Sequence, residues 1–250
     1  MSKSKMWELD EYGQSIWLDY IDRPLLETPK LQTMIENGLR GMTSNPSIFN
    51  NAIGASADYD EKIQVLKDEG KTTFEIYDAL TIKDICDAAD QFKGVYDESN
   101  GLDGYVSLEI DPQIAHETQE QVEEGIRLFK RVKRPNVMIK VPSTKAGIGV
   151  IEELITQGVN VNATLIFSVE QYEQVARAYY RGLKRRCDQN LDVHNVRSVA
   201  SVFVSRIDAS VDKLIDDCIQ VEEADEAKCL QLEGLKGKAA VANSRGIFEK

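Results

Sequence analysis

Apolar and polar residues alternate in short runs near 15–19 (SIWLD), 39–43 (LRGMT), 105–110 (YVSLEI), 136–141 (NVMIKV), 159–165 (VNVNATL) and 198–204 (SVASVFV). Runs of this length with a period of two predict β-strands. Stretches with helical spacing separate them, as in parallel α/β folds. Several helix starts carry their own chemistry. Asn45-Pro46 and Asp111-Pro112 each offer an N-cap residue followed by proline at the first helical position. Ser168-Val-Glu-Gln171 has the spacing of a capping box. The stretch near 113–133 opens with Glu117 and Glu120 and closes with Lys130, Arg131 and Lys133, an order that suits a helix dipole. Residues 55–97 read as mostly helical and lengthen the second crossover; beyond 204 the pattern is helical again.

Successive strand side chains point to opposite faces. Val106, Leu108 and Ile110 therefore oppose Tyr105, Ser107 and Glu109. Val137, Ile139 and Val141 oppose Asn136, Met138 and Lys140; Val159, Val161, Ala163 and Leu165 oppose Asn160, Asn162 and Thr164. Ala200, Val202 and Val204 oppose Val199, Ser201 and Phe203. An open sheet covered by helices on both faces has strands that are apolar throughout. Here one face is apolar and the other turns polar toward the strand's C-terminal end. That pattern predicts a barrel of the (β/α)8 TIM-barrel type, with outer helices on the apolar face and an active site at the C-terminal mouth. Asp19, Asn45, Glu109, Lys140, Asn162, Thr164 and Ser201 then converge on one cavity.

Length and charge narrow the classes. The 250 residues suit one domain spanning 1–250. A net charge of −12 argues against nucleic acid and anionic membrane as partners. No run approaches 18 apolar residues, so no membrane span is expected. The N-terminal stretch lacks the apolar segment of a signal peptide. The four cysteines show no paired spacing and read as reduced thiols of a cytoplasmic protein. His116 and His194 are isolated, so no metal is expected.

Lys140 is the residue that asks for an explanation. A strand lysine is commonly an edge or snorkelling residue. The other polar positions also have ordinary roles open to them: an ion pair for Glu109, internal hydrogen bonds for Asn162 and Thr164, a cap for Asp19, a surface salt bridge for Arg206. Together, however, they choose one face and one end. A lysine amine that attacks a carbonyl forms a Schiff base, an electron sink for breaking an adjacent C–C bond. The attack needs the neutral amine, against a free lysine pKa of about 10.4. Burial favours that form, whereas nearby carboxylates oppose it. Carboxylates then manage water loss and proton removal, and amides hold substrate hydroxyls in register.

Four segments, GMTSNPSIFNNAI (41–53), MIKVPSTKAG (138–147), VNATLIFS (161–168) and SVFVSRID (201–208), resemble the motifs of transaldolase, closest to its longer bacterial branch. The resemblance runs from about residue 12 onward. One departure is Ser143, where the family often has alanine. It implies Lys140 as the Schiff-base lysine, and Asp19 as the group that deprotonates the C4 hydroxyl while the C3–C4 bond breaks. Glu109 and Thr164 are implied to handle the catalytic water. Asn45, Asn162 and Ser201 are implied to hold the dihydroxyacetone portion, Phe203 to line the site and Arg206 to bind phosphate. The implied reaction passes a dihydroxyacetone unit between sugar phosphates in the pentose phosphate pathway. It converts sedoheptulose 7-phosphate and glyceraldehyde 3-phosphate to erythrose 4-phosphate and fructose 6-phosphate, with no cofactor.

An eight-stranded barrel needs two strands beyond those identifiable here. The expectation is a C-terminally incomplete barrel, either a fragment or a chain closed by a homo-oligomer or partner chain, and weakly active alone. Three other readings stay open: another Schiff-base sugar-phosphate aldolase, a non-catalytic barrel, and a metal-dependent enzyme using Asp19 and Glu109.

Overall fold

The computed structural model describes residues 4–221 and 225–249. The helical pattern read beyond 204 can be followed except at 222–224 and 250, which lie outside the described residues, as do residues 1–3. Six strands pair in chain order, all parallel: β1 (Ile16–Asp19), β2 (Leu39–Thr43), β3 (Val106–Glu109), β4 (Val137–Pro142), β5 (Val161–Ile166) and β6 (Ser198–Val202). They form a curled half-barrel, with β1 and β6 as its edges. Helices α1 (Lys5–Asp10), α2 (Arg23–Leu26), α3 (Lys30–Glu36), α4 (Pro46–Ala55), α5 (Asp60–Asp68), α6 (Thr73–Gln91) and α7 (Lys93–Glu98) occupy the first half of the chain. The second half carries α8 (Thr118–Val132), α9 (Lys145–Thr156), α10 (Val169–Asp188), α11 (Ser205–Val221), α12 (Glu226–Glu233) and α13 (Ala239–Phe248).

The apolar strand face is the core. Val106, Leu108, Ile110, Val137, Ile139, Val141, Val161 and Ala163 join one buried cluster with Val150, Ile151, Leu154 and Ile155 of α9. Each such side chain taken from water is worth about 1.5–3 kcal/mol. Ile247 of α13 reaches the same cluster, so the C-terminal helix packs on the common core. Gly147, in the first turn of α9, lets that helix sit against the end of β4. A Cβ there would lie 1.9 Å from the Pro142 carbonyl oxygen.

Three details differ from the pattern in the sequence. Leu165 does not follow Val161 and Ala163 outward. Its φ is +60°, the pairing with β6 shifts between Ala163 and Ile166, and Ile166 takes the core position. One irregular residue inverts the alternation beyond it. The outward face of β6 is only partly covered, with Ala200 exposed and Val204 50% exposed. Asp111 caps a short 3-10 turn, Pro112–Ile114, and α8 begins separately at Thr118.

Candidate active site

Parallel register carries the polar face across the sheet. Asp19 pairs with Thr43, and Thr43 with Ser107. One step toward the C-terminal end, Glu109 pairs with Lys140, and Lys140 with Asn162. Each set shares a face because parallel neighbours in register point the same way.

A cleft of about 290 Å³ opens at the C-terminal ends of these strands. Its walls include Asn45, Glu109, Lys140, Thr164, Phe203 and Arg206. Lys140 is 7% exposed at its floor, although the protein carries a net charge of −12 and its other lysines are surface residues by pattern. Its Nζ donates to the Ser44 carbonyl oxygen at 2.8 Å and lies 3.2 Å from Glu109 Oε2. The amine is thus held by one charged and one neutral acceptor. Glu109 is a carboxylate within proton-transfer distance of the amine.

The cleft walls are placed by local backbone chemistry. Asn45 is the N-cap of α4: its Oδ1 accepts from Ile48 N at 2.9 Å, with Pro46 next in the chain. That bond commits the oxygen and leaves the Nδ2 hydrogens for the cleft. Thr164 is buried and stands in register with Pro142, where β4 ends. The φ of +60° at Leu165 turns that side chain into the cleft wall. Ser168 caps α10 by accepting from Gln171 N, while Gln171 Oε1 accepts from Phe167 N rather than from the cap residue.

Arg206 stands at the rim, exposed, its guanidinium 4.6 Å from the Phe203 ring centre. Phe203 stacks on Phe167 at 5.1 Å. Among the described residues no carboxylate pairs with Arg206, so its N–H groups remain available to an anion.

Asn162 and Ser201 lie beneath the cleft rather than on its wall. Ser201 Oγ donates to Asn162 Oδ1 at 2.7 Å, and Asn162 Nδ2 donates to Ser107 Oγ at 3.1 Å. Asp19 stands on the same polar face but apart. It ends the edge strand β1, is exposed, and is not part of the cleft wall. Ser44 and Ser107, both fully buried, were not singled out from the sequence. Ser107 had a signal, since it shares the polar face of β3 with Glu109. Ser44 had none, because it acts on Lys140 through its backbone carbonyl.

A second cavity of about 320 Å³ lies behind Glu109 and shares Pro46, Ser47, Glu109 and Pro112 with the first. Burial, and then the charges of Asp111, Glu109 and Asp78, push the Tyr77 phenol on its wall up to about 12. Among the described residues, no three His, Cys, Asp or Glu side chains gather as a metal site. None of the described helices is long and apolar enough to cross a membrane.

A sequence profile of the Transaldolase/Fructose-6-phosphate aldolase family matches residues 16–249. The chain belongs to this family. Among its curated relatives is the transaldolase of Trichodesmium erythraeum, 43% identical over all of this chain and 66% of the relative. Transaldolase 2 of Nostoc punctiforme is 42% identical with the same coverage. Transaldolase 1 of Streptomyces coelicolor is 43% identical over 96% of this chain and 61% of its own length. The chain thus spans about two thirds of the length of the transaldolases it matches.

Proposed function

We propose that this chain carries the Schiff-base centre of a transaldolase, moving a dihydroxyacetone unit between sugar phosphates. The observation that carries the reading is Lys140, a buried amine at a cleft floor with a carboxylate 3.2 Å away. In this mechanism Lys140 Nζ attacks the ketose C2 carbonyl, and the proton it sheds passes to Glu109. Water leaves the carbinolamine with Glu109 and Thr164 managing its protons, giving the iminium. Asp19 takes the C4 hydroxyl proton as the C3–C4 bond breaks. The bond's electrons pass to the iminium nitrogen, and an aldehyde departs. The enamine then attacks an acceptor aldehyde, the steps reverse, and hydrolysis frees Lys140.

Asn45, Asn162 and Ser201 hold the dihydroxyacetone hydroxyls in this reading, Phe203 forms the wall, and Arg206 takes the phosphate. The pair of substrates is sedoheptulose 7-phosphate with glyceraldehyde 3-phosphate, in the pentose phosphate pathway, and the location is cytoplasmic. No cofactor enters, because the iminium is the electron sink. The single domain over 1–250 is part of the same proposal, as is an interface at the unpaired edges of β1 and β6 with a second copy or partner chain. Sedimentation velocity tests that interface: a strictly monomeric chain argues against it.

Borohydride reduction in fructose 6-phosphate, followed by peptide mass spectrometry, tests the centre. The expected result is a dihydroxyacetone adduct on the peptide containing Lys140, absent in Lys140→Arg. An adduct elsewhere, or none, refutes the assignment. Aldehyde release that stops at about one equivalent per chain without an acceptor, and continues when one is supplied, distinguishes transfer from simple aldol cleavage.

A further inference from the structure

The polar face holds a hydrogen-bond chain in which two members, Ser44 and Ser107, have no part in the mechanism above. Ser201 Oγ donates to Asn162 Oδ1 at 2.7 Å, and Asn162 Nδ2 donates to Ser107 Oγ at 3.1 Å. The carbonyl of Ser107 in turn accepts from Ser44 Oγ at 2.7 Å. The carbonyl of Ser44 accepts from Lys140 Nζ at 2.8 Å. The chain crosses from β6 through β5 and β3 to the residue after β2 and ends on the amine. Ser44 and Ser107 are 0% exposed and Asn162 is 2% exposed, so bulk water cannot stand in for Ser44 or Ser107, whereas Ser201 at the other end is partly exposed.

A side-chain amide turns about a soft torsion. One bond to Ser201 holds the oxygen end of Asn162 but leaves its plane free to tilt. A second bond, from the opposite end of the amide to a different strand, fixes the plane. The remaining Nδ2 hydrogen and Oδ1 lone pair then point in set directions beside Lys140, the register neighbour of Asn162. We propose that Ser107 is a positioning residue that locks the Asn162 amide between β3 and β6, so that the ketose hydroxyls meet a preset hydrogen-bonding plane when the imine forms. Ser107 itself touches no substrate. The inference rests on the Schiff-base reading of Lys140 and on Asn162 as a substrate contact.

Two probes separate positioning from mere structure. Fructose 6-phosphate has the hydroxyls that Asn162 would meet; acetone has only the carbonyl. Each is reduced onto Lys140 with borohydride, and the adduct on the Lys140 peptide is measured against concentration. In Ser107→Ala the fructose 6-phosphate concentration giving half-maximal adduct is expected to rise roughly three- to tenfold, the size of one lost buried hydrogen bond. Acetone labelling should match wild type, and Ser107→Thr, which keeps the hydroxyl, should restore ketose labelling to within about twofold. In an Asn162→Ala background, Ser107→Ala should change nothing further. If alanine fails to fold, Ser107→Cys, similar in shape and a weak acceptor, should show the same direction at smaller size.

Equal ketose labelling in Ser107→Ala and wild type overturns the proposal. So does an equal loss with both probes, which would mark a structural residue. Additive effects in the Asn162→Ala background also overturn it. Acetone labelling of Lys140 in wild type with no ketose adduct would instead remove the functional reading, and this inference with it.

Discussion

The Lys140–Glu109 pair gives the sharpest quantitative expectation. The two charges stand 3.2 Å apart, with side chains 9% and 15% exposed. At an effective dielectric constant of about 20, Coulomb's law gives about 5 kcal/mol of gross attraction at that distance. Desolvation of both groups offsets much of it, while breaking such a pair from one side costs about 3–5 kcal/mol because a charge is left buried. Glu109→Gln keeps an acceptor oxygen near the ammonium, which places its expected cost at the lower end, about 3 kcal/mol. Lys140→Met strands the carboxylate instead and should cost a similar amount. The double variant removes both charges and should lie within about 1 kcal/mol of wild type. The coupling energy from this cycle is therefore expected to be about 5 kcal/mol. Urea unfolding at pH 7 measures it, provided the slope is unchanged across the four proteins. A coupling below about 0.5 kcal/mol would mean that water screens the pair. The cleft floor would then not be the enclosed site described here.

Asn45 has two separable tasks: Asn45→Asp keeps the cap and should hold stability within about 0.5 kcal/mol while weakening ketose labelling, whereas Asn45→Ala should also cost about 0.5–2 kcal/mol. Equal stability losses in urea would refute that division. Gly147→Ala forces a Cβ to within 1.9 Å of the Pro142 carbonyl oxygen, so α9 must move off β4; a loss of at least about 1–3 kcal/mol is expected, and a neutral result contradicts that close approach. Tyr59 and Tyr105, 0% and 2% exposed, have phenols raised mainly by burial. Their raised folded values mean the stability they lend is present below about pH 10 and is lost as the unfolded chain ionises above it. Two withheld ionisations steepen alkaline unfolding by about 2.7 kcal/mol per pH unit. The part of the tyrosinate absorbance that Tyr59→Phe and Tyr105→Phe remove, set apart from exposed phenols such as Tyr12 and Tyr180, should rise together with loss of circular dichroism; if that part rises well before unfolding, these phenols are accessible.

The strand pattern was legible because burial enforces it. A strand with one face on the core must alternate, and Val106, Leu108, Val137 and Ile139 do so without exception. The same alternation named the polar set, and register brings Glu109, Lys140 and Asn162 side by side. The long helical crossover over 55–97 and the helical stretch beyond 204 were likewise visible from spacing alone. Local patterns failed where one backbone torsion reset the count. Leu165 was assigned outward, and only its positive φ sends it into the cleft.

The sequence by itself determined which residues could share a face, because the two-residue repeat is a property of any extended chain. It could not decide which of them meet. That required distances between strands, which place Lys140 on Glu109 and on a carbonyl while leaving Asp19 exposed at the edge. Ser44 and Ser107 show the limit most plainly. A serine hydroxyl or a backbone carbonyl carries no pattern of its own, and its role exists only where folding sets a particular partner within hydrogen-bonding reach.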